Sequence, residues 1–356
     1  MNGVNGKFWR NAASLIMLSK RNSDSFSCRS GISNYDVLLQ TRPGTVSFPK
    51  SVVFPGGVTE PADESAEWFH LLQSFGYTDN DLNAFHRANT LTTPIFQPDP
   101  VKRHVSLRIS AIRETFEEIG ILIGSSRHKC IRSDRGATII CDFDVKSWQE
   151  KVSSNPEELL NLCKELKCYP DIFSLYYWSN WLTPKEYPKR FDTAFFLALV
   201  ENHSSFITKT SEVTAVQWSS PEEVLFKNSK KAIQLLPPQI YELNRLLHFK
   251  DINHLIKYAS ERSRDGTDLM FPIKIKAKDG ILRVFPGDDL YSLNEDPNQL
   301  SEQTILDLRN LSVKLNRLEE YFEDLGSKLI IRNITTLNHI NMGDKSIIVR
   351  SSCIED

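Results

Sequence analysis

The stretch Ile112-Arg113-Glu114-Thr115-Phe116-Glu117-Glu118-Ile119-Gly120, IRETFEEIG in one-letter code, decides how the chain is read. It sets three carboxylates within five residues, although like charges three and four apart on a helix repel. On a helical wheel at about 100° per residue with Glu114 at zero, Glu117 falls at about 300° and Glu118 at about 40°. Ile109, Ile112, Phe116 and Ile119 fall between about 140° and 220°. A helix over 106–119 therefore anchors an apolar face on a core and presents three acids on the other side, with Gly120 as its stop. A solvated acidic face is the plain alternative, and it fits poorly. Solvated helices interleave Lys or Arg at four-residue spacing, only Arg113 is near, and acids in a last turn oppose the helix dipole. Divalent cations relieve such a cluster, and carboxylate oxygens are the ligands that Mg2+ and Mn2+ prefer.

The rest of the chain sets the frame for that helix. Its 356 residues suffice for one large domain with insertions or two modest ones. With 40% hydrophobic and 25% charged residues it has a globular composition, and a formal net charge of −2 leaves no basic field to draw nucleic acid or a membrane surface. An anionic ligand must be held by local groups. The six cysteines form no C-x-x-C pair and the eight histidines no H-x-x-x-H pair. This argues against zinc and a disulfide framework, and makes a reducing compartment the default. No apolar run approaches a membrane span. Lys7, Arg10, Lys20 and Arg21 precede the first acid, Asp24, and resemble a mitochondrial transit segment. The reading favoured here is that AASLIML (12–18) is a buried strand. The last residues, CIED, are not a peroxisomal S-K-L signal.

Strands are expected at 12–18, YDVLLQT (35–41), SVVFPGG (51–57), LYYWSNWLT (175–183) and FDTAFFLALV (191–200). GILI and TIICDF are strand-like runs. Residues 60–104 read as an inserted pair of short amphipathic helices broken off by TTPIFQPDP. Helices are expected over 144–166, with Asn155-Pro156 as an internal start signal, and over 237–248 and 251–262. SEVTAVQWSSPEEVL reads as strand, turn and helix start. FPIKIKAKDGILRVFPGD reads as a hairpin about Asp279-Gly280. LRNLSVKLNRLEEYFEDL reads as a further helix. Mixed rather than alternating elements point to an α+β or α/β sandwich.

The stretch RETFEEIGI (113–121) resembles the second half of the nudix box, G-x5-E-x7-R-E-U-x-E-E-x-G-U, and FPGG (54–57) resembles the strand end that opens it. The first half departs from the pattern. Arg113 follows Gly57 by 56 residues where an uninterrupted box has fourteen. Counted from Gly57, Asp63 takes the place of the first glutamate; counted back from Arg113, Val105 does. Thr115 replaces the usual aliphatic residue. A box split in this way is similar to that of the animal acyl-coenzyme A diphosphatases of the peroxisomal type. DVLLQTR…SFPKSVVFPGGV, WSNWLTP, KRFDTAFFLA, VQWSSPEE and FPGDDLY agree with that resemblance, which covers roughly residues 8–290.

The resemblance implies a nudix α/β/α sandwich with a mixed sheet over 8–290, a helical insertion at 60–104 within the box, and a C-terminal extension at 291–356. It implies a metal-dependent hydrolase cleaving coenzyme A and its thioesters to 3′,5′-ADP and (acyl-)4′-phosphopantetheine. Glu114, Glu117 and Glu118 are then ligands to Mg2+ or Mn2+, with one of them left the alternative role of orienting water as base. Arg113 orients the acids, Gly56 and Gly57 offer backbone contacts unless they form a plain turn, and Glu212 is the candidate for a further acid. Glu222 and Glu223 are read as a helix first turn after Pro221. Arg42, Lys50 and Arg190 are the candidates to meet the 3′-phosphate. Phe191, Phe195, Phe196, Trp178 and Trp181 are read as core. The rival readings are another diphosphate substrate (a nucleotide sugar, a dinucleotide or an RNA cap), a non-catalytic binding protein of the same fold, and a structural acidic helix. The intact R-E-x-x-E-E argues against the second, and magnesium titration separates the third.

Overall fold

The strand Arg10–Lys20 (β1) sends Ala13, Leu15 and Met17 into one hydrophobic core and Ile16 and Leu18 into another. That is period-two alternation in a strand covered on both faces. A computed structural model describes residues 9–21, 32–45, 48–87, 93–129, 136–200, 213–292, 299–323, 327–334 and 345–347. Among them, β1 is flanked by Tyr35–Thr41 (β2) and by Ser51–Val53 (β3) beyond it, while Gly56–Val58 (β4) pairs with the N-terminal end of β1. After Leu122–Ser125 (β5), Ile139–Ile140 (β6) and Tyr169–Pro170 (β7), where β6 and β7 both pair with β5, Tyr176–Leu182 (β8) and Phe191–Val200 (β9) rejoin the large sheet. Ala215–Ser219 (β10) pairs with β2, Gln234–Leu235 (β11) with β3 and Leu269–Met270 (β12) with β8. The β1–β9 and β8–β12 pairs are parallel and β1–β2 is antiparallel, so the sheet is mixed as expected. AASLIML is its centre.

Helices cover both faces. One side carries Glu67–Ser74 (α1), Asp79–Asn83 (α2), Pro100–Ile119 (α3), Val145–Ser154 (α4) and Glu158–Glu165 (α5); their apolar residues share one core with the odd-numbered residues of β1. The other side carries Pro221–Ser229 (α6), Pro237–Leu246 (α7) and Ile252–Arg262 (α8). The result is an α/β/α sandwich. The insertion is part of the core: Trp68, Leu72, Tyr77, Leu82, Ile95 and Phe96 are all at most 2% exposed.

α3 begins at Pro100, earlier than the sequence pattern placed it. Asp99 accepts from the Lys102 N–H at 3.1 Å and proline occupies the first helical position, so QPDP, read as a break, is a start signal. Gly120 ends the helix at φ 75° as expected.

The C-terminal region departs further from expectation. Ile273–Ala277 (β13) and Gly280–Val284 (β14) form the predicted hairpin, and with Gln299–Leu300 (β15), Leu315–Tyr321 (β16), Ser327–Arg332 (β17) and Lys345–Ile347 (β18) they make a second sheet. The stretch read as one helix is instead a short helix, Ile305–Leu311 (α9), followed by the strand β16. Its pattern resembles a solvated helix, yet Arg317 and Glu319 are buried and paired: Arg317 donates to Asp288 at 2.7 Å, and Glu319 accepts from the half-buried Arg309 Nε at 3.0 Å. Residue 290 falls between strands of this sheet, so the hairpin and the extension form one unit. No helix among the described residues is long and apolar enough to cross a membrane.

Candidate active site

The acid-bearing end of α3 faces β4 because β4 is laid directly on β1. Ser14 pairs with Gly56 and Ala13 with Gly57, and Pro55 at the kink before β4 accepts from Leu15 N–H and from the Ser14 hydroxyl. Gly56 sits at φ 145°, and a Cβ there would stand 2.3 Å from the Ala13 carbonyl oxygen, so only glycine fits. Its N–H donates to Glu118 Oε2 at 2.8 Å. Gly57 leaves room for Glu114, whose Oε2 would lie 2.4 Å from a Cβ at that position. Both glycines are thus fitted to the carboxylates.

Arg113 is 1% exposed and every one of its five N–H donors is used. Nε and Nη2 donate to Asp63 at 2.8 and 3.0 Å, Nη2 also to the Val58 carbonyl at 2.8 Å, and Nη1 to Glu114 and Glu117 at 3.1 and 2.8 Å. Asp63, 2% exposed, also accepts from the Glu60 N–H at 2.9 Å. The first acid of the split box is therefore Asp63, and Val105 is a core residue at 1% exposure. The insertion enters after Asp63 and leaves the pairing across the box intact. Burial opposes the Arg113 charge. Its hydrogen bond to Asp63 and the surrounding carboxylates outweigh that and hold its proton above the usual arginine range. All its donors are spent on protein acceptors, which leaves none over for a substrate.

Burial pushes Glu114 up to about 8 against the pull of Arg113, with the Glu118 and Glu117 carboxylates adding to the rise. The opposite face of α3 is pinned by Ile109, Ile112, Phe116 and Ile119, and Gln149 of α4 donates to the Phe116 and Glu117 carbonyls at 3.1 and 2.9 Å. Among the described residues no three His, Cys, Asp or Glu side chains already converge as a coordination cage. Glu114 and Glu117 turn one oxygen each to Arg113, and Glu118 turns one to Gly56. The donor chemistry nevertheless fits a hard divalent cation, being carboxylate oxygen throughout.

These residues line one end of a cleft of about 470 Å3. Its remaining walls are largely apolar and aromatic, including Phe48, Tyr187, Phe191, Phe195, Trp181, Pro237 and Pro238. Phe191, Phe195 and Trp181 are read from sequence as core; Phe195 and Trp181 are core residues that also show a face to the cleft, whereas Phe191 is half-buried and lines the cleft outside the core clusters. Trp178 and Phe196 are fully buried. Of the three basic candidates, Arg42 borders the cleft, whereas Lys50 is exposed outside it and Arg190 lies over the Trp9 ring at 4.6 Å. Glu212 lies outside the described residues. Glu222 and Glu223 open α6 as expected, with Glu222 bonded to Ser33 and Lys250. Sequence reasoning missed Pro272 and Arg283, which reach the cleft from the second sheet; nothing in a hairpin pattern signals that.

Residues 9–246 match the sequence model of the NUDT19 Nudix domain. The chain is a Nudix hydrolase of that family. An acyl-coenzyme A diphosphatase NUDT19 from Xenopus laevis is 33% identical over 94% of this chain and 96% of its own length. The protein of the same description from Homo sapiens is 34% identical over 73% of each chain. The crystal structure of a NUDIX hydrolase from Alicyclobacillus acidocaldarius superposes with a TM-score of 0.51, covering 71% of this chain and 97% of that one at 22% identity, a likeness of fold.

In this Nudix hydrolase Gly57→Ala is expected to displace the Glu114 carboxylate while sparing the backbone. The magnesium concentration needed for half-maximal activity should rise about tenfold or more, as for other changes that misorient a ligand. A magnesium titration of activity with an unchanged thermal midpoint is the check; an unchanged titration would separate Glu114 from the metal site.

Proposed function

We propose that this Nudix hydrolase is a divalent-cation-dependent diphosphatase of coenzyme A and acyl-coenzyme A, releasing 3′,5′-ADP and (acyl-)4′-phosphopantetheine. The observation that carries this reading is the full set of nudix acids, Glu114, Glu117 and Glu118, gathered in a cleft whose other walls are largely apolar, with Arg42 and Arg283 among them. Relatives named as acyl-coenzyme A diphosphatases align over 73–94% of the chain. A coenzyme A ligand has matching parts: a diphosphate, an adenine and a long pantetheine arm.

Glu114, Glu117 and Glu118 would hold Mg2+ or Mn2+. When bound, the cation supplies charge neutralisation at the diphosphate and a lower pKa for attacking water. The chain's own residues prepare the rest. Arg113 fixes Glu114 and Glu117, the Gly56 N–H fixes Glu118, and Asp63 anchors Arg113. Pre-set orientation of this kind avoids reorganisation during the reaction. In the overall step a water oxygen bonds to one phosphorus, the bridging P–O bond breaks, and the bridging oxygen leaves on the other phosphate. The water proton passes to solvent or to a carboxylate of the cluster.

The test is a comparison of kcat/KM for coenzyme A, an acyl-coenzyme A, ADP-ribose, NADH, a nucleotide sugar and a capped RNA, with magnesium and with chelator. Coenzyme A and its thioester should be the best substrates, with activity lost on chelation. A clear preference for one of the others would transfer the assignment to that substrate.

A further inference from the structure

The family domain matched here ends at residue 246, yet Pro272 and Arg283 stand in the cleft wall. Arg283 lies on β14 between Leu282 and Val284, which point into the small core beneath α9. Strand alternation turns Arg283 the other way. Its cross-strand partner Leu318 belongs to the core shared with the nudix body, which fixes that face. On the same face its partner on β13 is Lys274.

The surroundings of Arg283 differ from those of Arg113. Arg113 is closed off by five hydrogen bonds within the protein. Arg283 donates through Nη1 to Glu320, which also accepts from the Ser327 hydroxyl at 3.2 Å, and it lies against the Tyr187 hydroxyl. Its side chain keeps 17% exposure and Glu320 keeps 30%, so the pair is a rim pair and not a sealed one. Tyr187 packs against Phe48 at 5.4 Å between centroids, and both rings border the cleft. An arginine fork beside two aromatic rings in a phosphate-handling cleft suits a phosphate monoester carried on a nucleoside.

We infer that Arg283 is a specificity-determining residue that receives the ribose phosphate monoester of the substrate, which makes the second sheet part of the substrate site. This inference rests on the coenzyme A reading above. The diphosphate belongs beside the acids, so the 3′-phosphate is the anionic group left to be met, and Arg283 and Arg42 are cations bordering the cleft that Arg113 does not replace.

Two readouts test it in wild type, Arg283→Ala, Arg283→Lys and Glu320→Gln. One is the calorimetric affinity for adenosine 3′,5′-bisphosphate against adenosine 5′-monophosphate. The other is kcat/KM for coenzyme A against dephospho-coenzyme A. Wild type should favour the 3′-phosphorylated partner by about tenfold or more in both, as expected for a charge-assisted hydrogen bond. Arg283→Ala should bring both ratios close to one, and Arg283→Lys should reduce them partway. Glu320→Gln, which keeps the cation and removes its competitor, should retain or widen them. Ratios that persist in Arg283→Ala would overturn the inference. Should that variant not fold, unchanged ratios in Arg283→Lys would do the same, as would a folded Glu320→Gln that loses the preference. A wild type that cleaves both coenzymes equally well defeats the inference and leaves the diphosphatase reading standing. A wild type that leaves coenzyme A intact but binds the bisphosphate through Arg283 does the reverse.

Discussion

Glu118→Gln is expected to lower turnover by on the order of 10²–10³-fold while leaving the fold intact. Glu118 is 5% exposed and its Oε2 accepts from the Gly56 N–H at 2.8 Å. A glutamine presents an amide oxygen of the same reach, so the contact between β4 and α3 persists. What disappears is one of three carboxylates offered to a divalent cation on one helical face. The same change removes a like-charge neighbour of Glu114 four positions away, so the thermal midpoint should hold or rise slightly. Turnover at saturating magnesium, read beside the thermal melt, checks this. Near-normal rates in the variant would remove Glu118 from the site.

Asp63→Ala should cost the fold about 3–5 kcal/mol, the range for removing one partner of a buried ion pair. The two bonds from Arg113 to Asp63 tie the start of the insertion to α3 across the interrupted box, beside the bond from Arg103 to the neighbouring Glu64. Without them a guanidinium that is 1% exposed keeps only the Val58 carbonyl and the two glutamates. Turnover should fall as well, because Arg113 would shift away from its place beside Glu114 and Glu117. Asp63→Asn keeps one acceptor and should cost less. Denaturant unfolding gives the number, and a loss below about 1 kcal/mol would mean that the pair does not hold the two halves together.

The parts of this protein that were legible in its sequence are those where one face of an element is apolar and the other is not. The wheel of 106–119 separated Ile109, Ile112, Phe116 and Ile119 from the three acids, and the fold keeps that division. The strands 12–18, 35–41 and 191–200 were legible because aliphatic and aromatic runs of that length, bounded by polar residues, have few other uses. The early start of α3 escapes the sequence because the prolines at 98 and 100 read as breakers, although proline at a first helical position carries no penalty. The strand β16 escapes the sequence because NRLEEY resembles a solvated helix until Arg317 is seen paired with Asp288 and Glu319 with Arg309. Counting alone leaves two positions for the first acid, 63 and 105, the second a valine. Spatial pairing with Arg113 separated them, and no spacing rule carries that information across an insertion. Lys50 and Arg190 lie next to strands, and adjacency in sequence does not fix which way a side chain leaves a strand end. Arg283 had no local signal, since its role depends on a second sheet packing against the first.

The central claim is that Glu114, Glu117 and Glu118, brought to β4 across a split box, direct magnesium-dependent water attack on the diphosphate of coenzyme A. Its most direct test is to incubate the protein with coenzyme A and magnesium in 18O-labelled water and weigh the products by mass spectrometry. The expected result is equal amounts of 3′,5′-ADP and 4′-phosphopantetheine, one of them carrying a single 18O on its phosphate, with both products absent under chelation and in Glu118→Gln. Coenzyme A recovered intact from the wild-type protein with magnesium, or cleaved at its thiol arm with no label on phosphate, would contradict it.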